Sequence, residues 1–95
     1  MQLIGMDPTS KNLREETEKW LAKLRKERPL VRISATGPLE KKAKEALRNM
    51  DAYVKDTSHF LEKGDYVRAF EAIVWAWGIL EVLSSMHLII IDKKG

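Results

Sequence analysis

The ten residues Phe60-Leu-Glu-Lys-Gly-Asp-Tyr-Val-Arg-Ala69 decide the fold. Gly64 supplies a left-handed stop to one helix, and Asp65 directly after it offers a carboxylate to the free N–H groups of the next. A link this short forces the two helices to lie antiparallel. Upstream, Leu39, Ala43, Ala46, Leu47, Met50, Tyr53, Val54, Thr57, Phe60 and Leu61 keep helical spacing without a break, which predicts a helix over about 38–63 opened by Thr36-Gly37-Pro38. Its wet face carries the i,i+4 pairs Glu40–Lys44, Lys41–Glu45 and Asp51–Lys55. Downstream a helix is predicted over about 65–87. Facing residues in such a hairpin have numbers that sum to about 129: Phe60 with Ala69, Tyr53 with Ala76, Leu47 with Val82 or Leu83, and Arg48 level with Glu81.

The third helix has more apolar surface than one neighbour uses. At 100° per residue, Tyr66, Ala69, Phe70, Ile73, Ala76, Trp77, Leu80 and Ser84 make the face owed to the second helix. Trp75, Ile79, Val82 and Met86 recur on roughly the opposite side, where a surface helix is normally polar. Trp20 and Trp77 fall on core stripes, so Trp75 is the tryptophan that points to an interface, where this residue often dominates the energy.

Working outward, Asp7-Pro8 is a cap followed by proline at the first helical position, with Ser10 as a second cap. Leu13, Trp20, Leu21 and Leu24 form one stripe, predicting a first helix over about 9–27 with a Glu15–Lys19 pair on its wet side. The segment Pro29 to Pro38 holds two prolines and a glycine, so residues 28–37 read as an extended linker. The tail, 88–95, begins with the β-branched run Leu88-Ile89-Ile90-Ile91, which either folds over Trp75 and Val82 or pairs with Val31 to Ile33 as a short ribbon. The whole reads as a single all-α domain, a three-helix up-and-down bundle built on a long antiparallel hairpin.

Composition narrows the function. The chain has 95 residues, 44% of them hydrophobic and 33% charged, enough for one small core and too apolar for disorder. Without cysteine there is no thiol nucleophile, disulfide or thiolate metal site. The net charge of +3 is mild and mixed. The first residues lack the basic and apolar regions of a secretory signal, which implies a cytoplasmic protein. The stretch 72–91 has the length of a membrane span, but Glu81 at its centre costs roughly 2.5–3.5 kcal/mol, so no membrane insertion is expected.

Motifs of catalysis are missing. His59 and His87 lie on different helices with no carboxylate at a metal-ligand interval, Ser58 beside His59 lacks a nucleophile elbow, and Gly37 and Gly64 stand alone rather than in a phosphate loop. The expectation is no metal, no cofactor and no enzyme, with Asp56 the single acid that merits inspection. Lys19, Lys23, Lys26 and Arg28 follow one face of helix 1 and suit a phosphate backbone, yet acids interleave with them and Trp20 belongs to the core.

Tyr53, Asp56, Phe60, Gly64-Asp65, Ala69-Phe70-Glu71-Ala72, Ala76, Gly78 and Glu81 together resemble domain-of-unknown-function family 357, a family of short archaeal proteins. Two positions depart from its pattern, Glu81 where aspartate is expected and Val82 where a small residue is. The resemblance implies a three-helix bundle and no catalytic residue. Gly64-Asp65-Tyr66-Val67-Arg68-Ala69 is also similar to the turn of a tetratricopeptide repeat, but no 34-residue period recurs. The expected function is therefore that of a non-enzymatic module for protein–protein interaction or self-association, a homodimer included, through Trp75, Ile79, Val82 and Met86. The alternative is a nucleic-acid-binding accessory role for Lys19, Lys23, Lys26 and Arg28.

Overall fold

A computed structural model describes residues 7–92, with side chains from residue 11 onward. Its elements in order are α1 (Asp7–Glu27), a 3-10 turn (Arg28–Leu30), β1 (Val31–Ile33), α2 (Pro38–Glu62), α3 (Tyr66–Ser85) and β2 (Ile89–Ile91). The described residues are mainly helical, with three helices and one two-stranded ribbon among them. The expected side-chain caps at Asp7 and Ser10 and the end of the tail, 93–95, lie outside the described side chains.

The hairpin closes as its sequence dictates. At the end of α2 the Gly64 N–H donates to the Leu61 carbonyl at 3.1 Å and the Asp65 N–H to the Phe60 carbonyl at 2.9 Å. This double bond pattern requires the left-handed Gly64, φ 76°. Asp65 then caps α3, its carboxylate accepting from the Arg68 N–H at 3.2 Å. At the start of α2, Gly37 itself is the cap residue and Pro38 occupies the first turn, with no side-chain cap.

The core joins Leu21 and Leu24 of α1, Leu47 and Met50 of α2, and Ile73, Ala76, Leu80 and Leu83 of α3, with Ile89 of β2. Helix α3 is central: it packs along both α1 and α2, which scarcely meet each other. Its buried residues are Ala69, Ala72, Ile73, Ala76, Leu80 and Leu83. The sequence placed one face against α2 alone; the observed face is wider because α1 shares it. Phe70 and Trp77 are half-buried on the α1 side, Ser84 is exposed, and Leu83 rather than Val82 is the buried neighbour in the hairpin. Tyr53 stacks on Trp75, the residue before its expected level partner Ala76.

Surface pairs form differently from their helical spacing. Glu40–Lys44 forms at 3.5 Å as expected, whereas Lys19 joins Glu16 at 3.9 Å and Asp51 turns to Arg28 at 2.8 Å. Arg48 faces α1, on the far side of α2 from Glu81, which lines the space between α1 and α3.

Two segments read as linker and tail become structure. After α3, the His87 N–H donates to the Ser84 carbonyl at 3.0 Å and the Leu88 N–H to the Leu83 carbonyl at 2.9 Å, the same bond pattern as at Gly64. Here the left-handed residue is His87, φ 59°. The reversal sends β2 back antiparallel to β1 in the register Val31↔Ile91, Arg32↔Ile90 and Ile33↔Ile89. A two-stranded ribbon is marginal alone. This one is anchored by the fully buried Ile89 and by Val31, Ile33 and Ile91 against the core, with an Arg32–Asp92 ion pair at 3.1 Å. Of the two paths open to the tail, it takes the ribbon and leaves Trp75 and Val82 uncovered. Because the apolar stretch 72–91 breaks at His87, no helix among the described residues is long and apolar enough to cross a membrane.

Three substitutions test this fold. His87→Gly removes the strain of a side chain in left-handed backbone and should raise stability by about 1 kcal/mol, seen as a melting temperature about 4–8 °C higher. Thr17 is fully buried on α1 and its hydroxyl has no hydrogen-bond partner among the described residues. An unmade buried bond costs about 1–3 kcal/mol, so the isosteric Thr17→Val should stabilise the fold against urea. Thr57→Val should gain less, because the Thr57 hydroxyl donates to the Tyr53 carbonyl at 2.8 Å.

Candidate functional site

The residues with the most unused contact potential lie on the outer face of α3. Trp75, Val82 and Met86 are 62%, 57% and 58% exposed, and Val67 and Val74 are exposed beside them. Ile79 is half-buried against the core and offers the surface only part of its side chain. Trp75 is held by stacking on Tyr53 of α2, ring centroids 6.3 Å apart and planes at 20°. One face of the indole is thereby supported, and a rigid aromatic loses little side-chain entropy when a partner covers it.

Gly78 sits in the middle of this face. It is exposed, interior to the helix, and a Cβ built on it meets no atom within 4 Å. Glycine in an exposed helix interior costs roughly 1 kcal/mol relative to alanine, and no internal contact here requires it. Val74 lies one turn before it and Val82 one turn after, so an open backbone notch stands between two exposed valines.

Beside the notch, α1 and α3 enclose a mainly apolar groove of about 360 Å³ walled by Trp20, Phe70, Ile73, Val74, Trp77 and Gly78, with Glu81 also lining it. Its aromatic wall is rigid. Trp20 and Trp77 meet edge to face with centroids at 5.6 Å, the Trp77 indole N–H donates to the Trp20 carbonyl at 3.1 Å, and that of Trp20 donates to Glu16 Oε1 at 3.1 Å. The sequence singled out Trp75, Val82 and Met86 but missed Val67, Val74 and the groove. The signal was present in Gly78, a poor helix former inside the uncharged run Ala72–Leu80.

The basic residues of α1 do not assemble into one free patch. Lys19 and Lys23 lie over the Trp20 ring at 5.6 and 4.8 Å from its centroid, and Lys26 is exposed further along. Arg28 is committed to Asp51, donating from Nε and Nη2 at 2.8 and 3.0 Å. Hydrogen bonding to Asp51 holds the Arg28 guanidinium above the ordinary arginine range.

Among the described residues, the histidines and Asp56 singled out in the sequence are not brought together. His59 lies near the α2–α3 turn and His87 at the opposite end of α3, about 30 Å away along a helix of this length. Asp56, expected on the buried side of α2, is exposed; Thr57 takes the buried position. Among the described residues no group of three histidine, aspartate or glutamate side chains is placed to hold a metal ion.

Comparison with known proteins agrees with this fold. The family model described as "Protein of unknown function (DUF357)" matches residues 12–89. Among solved structures, the crystal structure of protein AF1782 from Archaeoglobus fulgidus, assigned to the same family, shares 35% sequence identity and superposes with a TM-score of 0.75, covering 87% of this chain and 97% of that one. No curated protein matches. With the family model spanning most of α1, all of α2 and α3 and the first residue of β2, and a relative at this identity along nearly its full length, the chain belongs to the DUF357 family of proteins of unknown function.

Proposed function

We propose that this chain is a non-enzymatic helical module that pairs with a second copy of itself through the outer face of α3. The observation that carries the reading is Gly78, a costly residue with open space around it, set between Val74 and Val82 on an apolar face. A two-fold interface presents the same patch from both partners, so it must be self-complementary. Two α3 helices crossing antiparallel at Gly78 satisfy this. Val74 of one copy then lies opposite Val82 of the other, and Glu71 opposite Ser85, because each pair is displaced equally from Gly78. The glycines let the backbones approach closely, and the flanking Trp75 and Met86 supply the large apolar contacts that dominate interface energies.

Nucleic-acid binding through Lys19, Lys23, Lys26 and Arg28 is the lesser reading. Arg28 is held by Asp51, and Lys19 and Lys23 are drawn onto Trp20, so these charges are partly spent within the fold.

The pairing separates two effects that usually move together. Gly78→Ala improves helix propensity by about 1 kcal/mol and should leave the monomer at least as stable, while it closes the notch. Light scattering on a sizing column over a range of concentrations should show a dimer for the natural chain and at least tenfold weaker association for Gly78→Ala and for Val82→Lys, with melting temperatures of the dilute monomer retained. A natural chain that is monomeric at millimolar concentration would overturn the proposal, as would variants that dimerise unchanged.

A further inference from the structure

A second groove, between α1 and α2, holds positive charge that the fold does not cancel. It has a volume of about 610 Å³ and is lined by Arg25 of α1 and by Arg48, Lys55 and Ser58 of α2, with the small Ala52 between the two cations of α2. Arg48 and Lys55 are seven residues apart, two helical turns, so they project to one side about 10 Å from each other. Arg25 donates from Nη2 to the Ser58 hydroxyl at 2.6 Å, which orients the guanidinium without neutralising it. The acid in the groove, Asp51, has both oxygens engaged by Arg28, at 2.8 and 3.0 Å. Its charge is therefore already matched. The Asp51–Lys55 pair that helical spacing favours does not form, and among the described residues no acidic side chain pairs with Lys55 or Arg48.

We propose that this groove is a binding site for a phosphate-bearing anion. The Arg28–Asp51 pair acts as its structural wall, while Arg25, Arg48 and Lys55 supply the recognition. Guanidinium groups offer paired donors in the planar geometry that phosphate oxygens accept, and lysine adds a mobile point charge. The volume falls within the usual range of ligand sites, and the separation of Arg48 from Lys55 allows more than one phosphate to be held at once. This site is separate from the Lys19, Lys23 and Lys26 face and from the outer face of α3. It stands whether or not the chain dimerises.

The test is a titration of the isotope-labelled full chain at low salt, followed by amide chemical shifts, with pyrophosphate and, separately, with a short single-stranded oligonucleotide. Shifts should cluster at Arg25, Arg48, Lys55 and Ser58. The double variant Arg48→Gln/Lys55→Gln should weaken binding at least tenfold with an unchanged melting temperature, since both side chains are exposed. Lys19→Gln/Lys23→Gln should change it less than twofold. Tighter binding of the oligonucleotide assigns the phosphate to a nucleic-acid backbone, and equal or tighter binding of pyrophosphate assigns it to a small phosphorylated compound. Absence of groove shifts with both probes at millimolar concentration, or a groove variant that binds as the natural chain does, would overturn the proposal.

Discussion

A left-handed residue at each end of α3 sets the architecture. Gly64 and His87 make the same pair of backbone bonds, and each reverses the chain. The first lays α3 back along α2, and the second returns β2 to β1. Between these reversals α3 runs through the middle of the molecule, flanked by α1 on one side and α2 on the other. Small residues meet this demand: Ala69, Ala72 and Ala76 are all buried, giving a helix with two neighbours room for both.

Two neighbours do not enclose a helix. The arc of α3 left over is the one bearing Val67, Val74, Trp75, Gly78, Val82 and Met86, and the ribbon that follows α3 turns away from it. The direction of the second reversal is thus as consequential as that of the first. Had the tail folded over Trp75 and Val82, the apolar arc would have been internal core. With the tail paired to β1 instead, the arc is a surface whose composition suits contact with another helix.

What was legible in the sequence follows from what is local. Gly64-Asp65 announces its turn because glycine tolerates left-handed backbone and aspartate caps, and the apolar spacing of α2 needs no tertiary information. The exposed stripe of Trp75, Val82 and Met86 was visible because it lies opposite the hairpin face on any helical wheel. His87 gave no such signal, since nothing in a histidine marks the left-handed position, and so the end of α3 and the path of the tail stayed open between two alternatives. The α1–α2 groove was equally hidden. It depends on Asp51 choosing Arg28, 23 residues away, over Lys55 one turn along its own helix. The forked two-bond geometry with Arg28 outweighs a single exposed lysine contact of a few tenths of a kcal/mol.

The most direct measurement of the central claim uses the absence of cysteine, which allows a spin label to be attached at one chosen site. Arg68→Cys places the label on the exposed side of α3, ten residues from Gly78 and off the Val74–Val82 row. At 1.5 Å per residue, antiparallel helices crossing at Gly78 put two such labels about 30 Å apart along the axis. Pulsed dipolar spectroscopy should show a narrow distribution near that distance. A separation near the 8–10 Å typical of side-by-side helices in parallel, or no dipolar coupling at concentrations where the chain is dimeric by mass, would contradict the account.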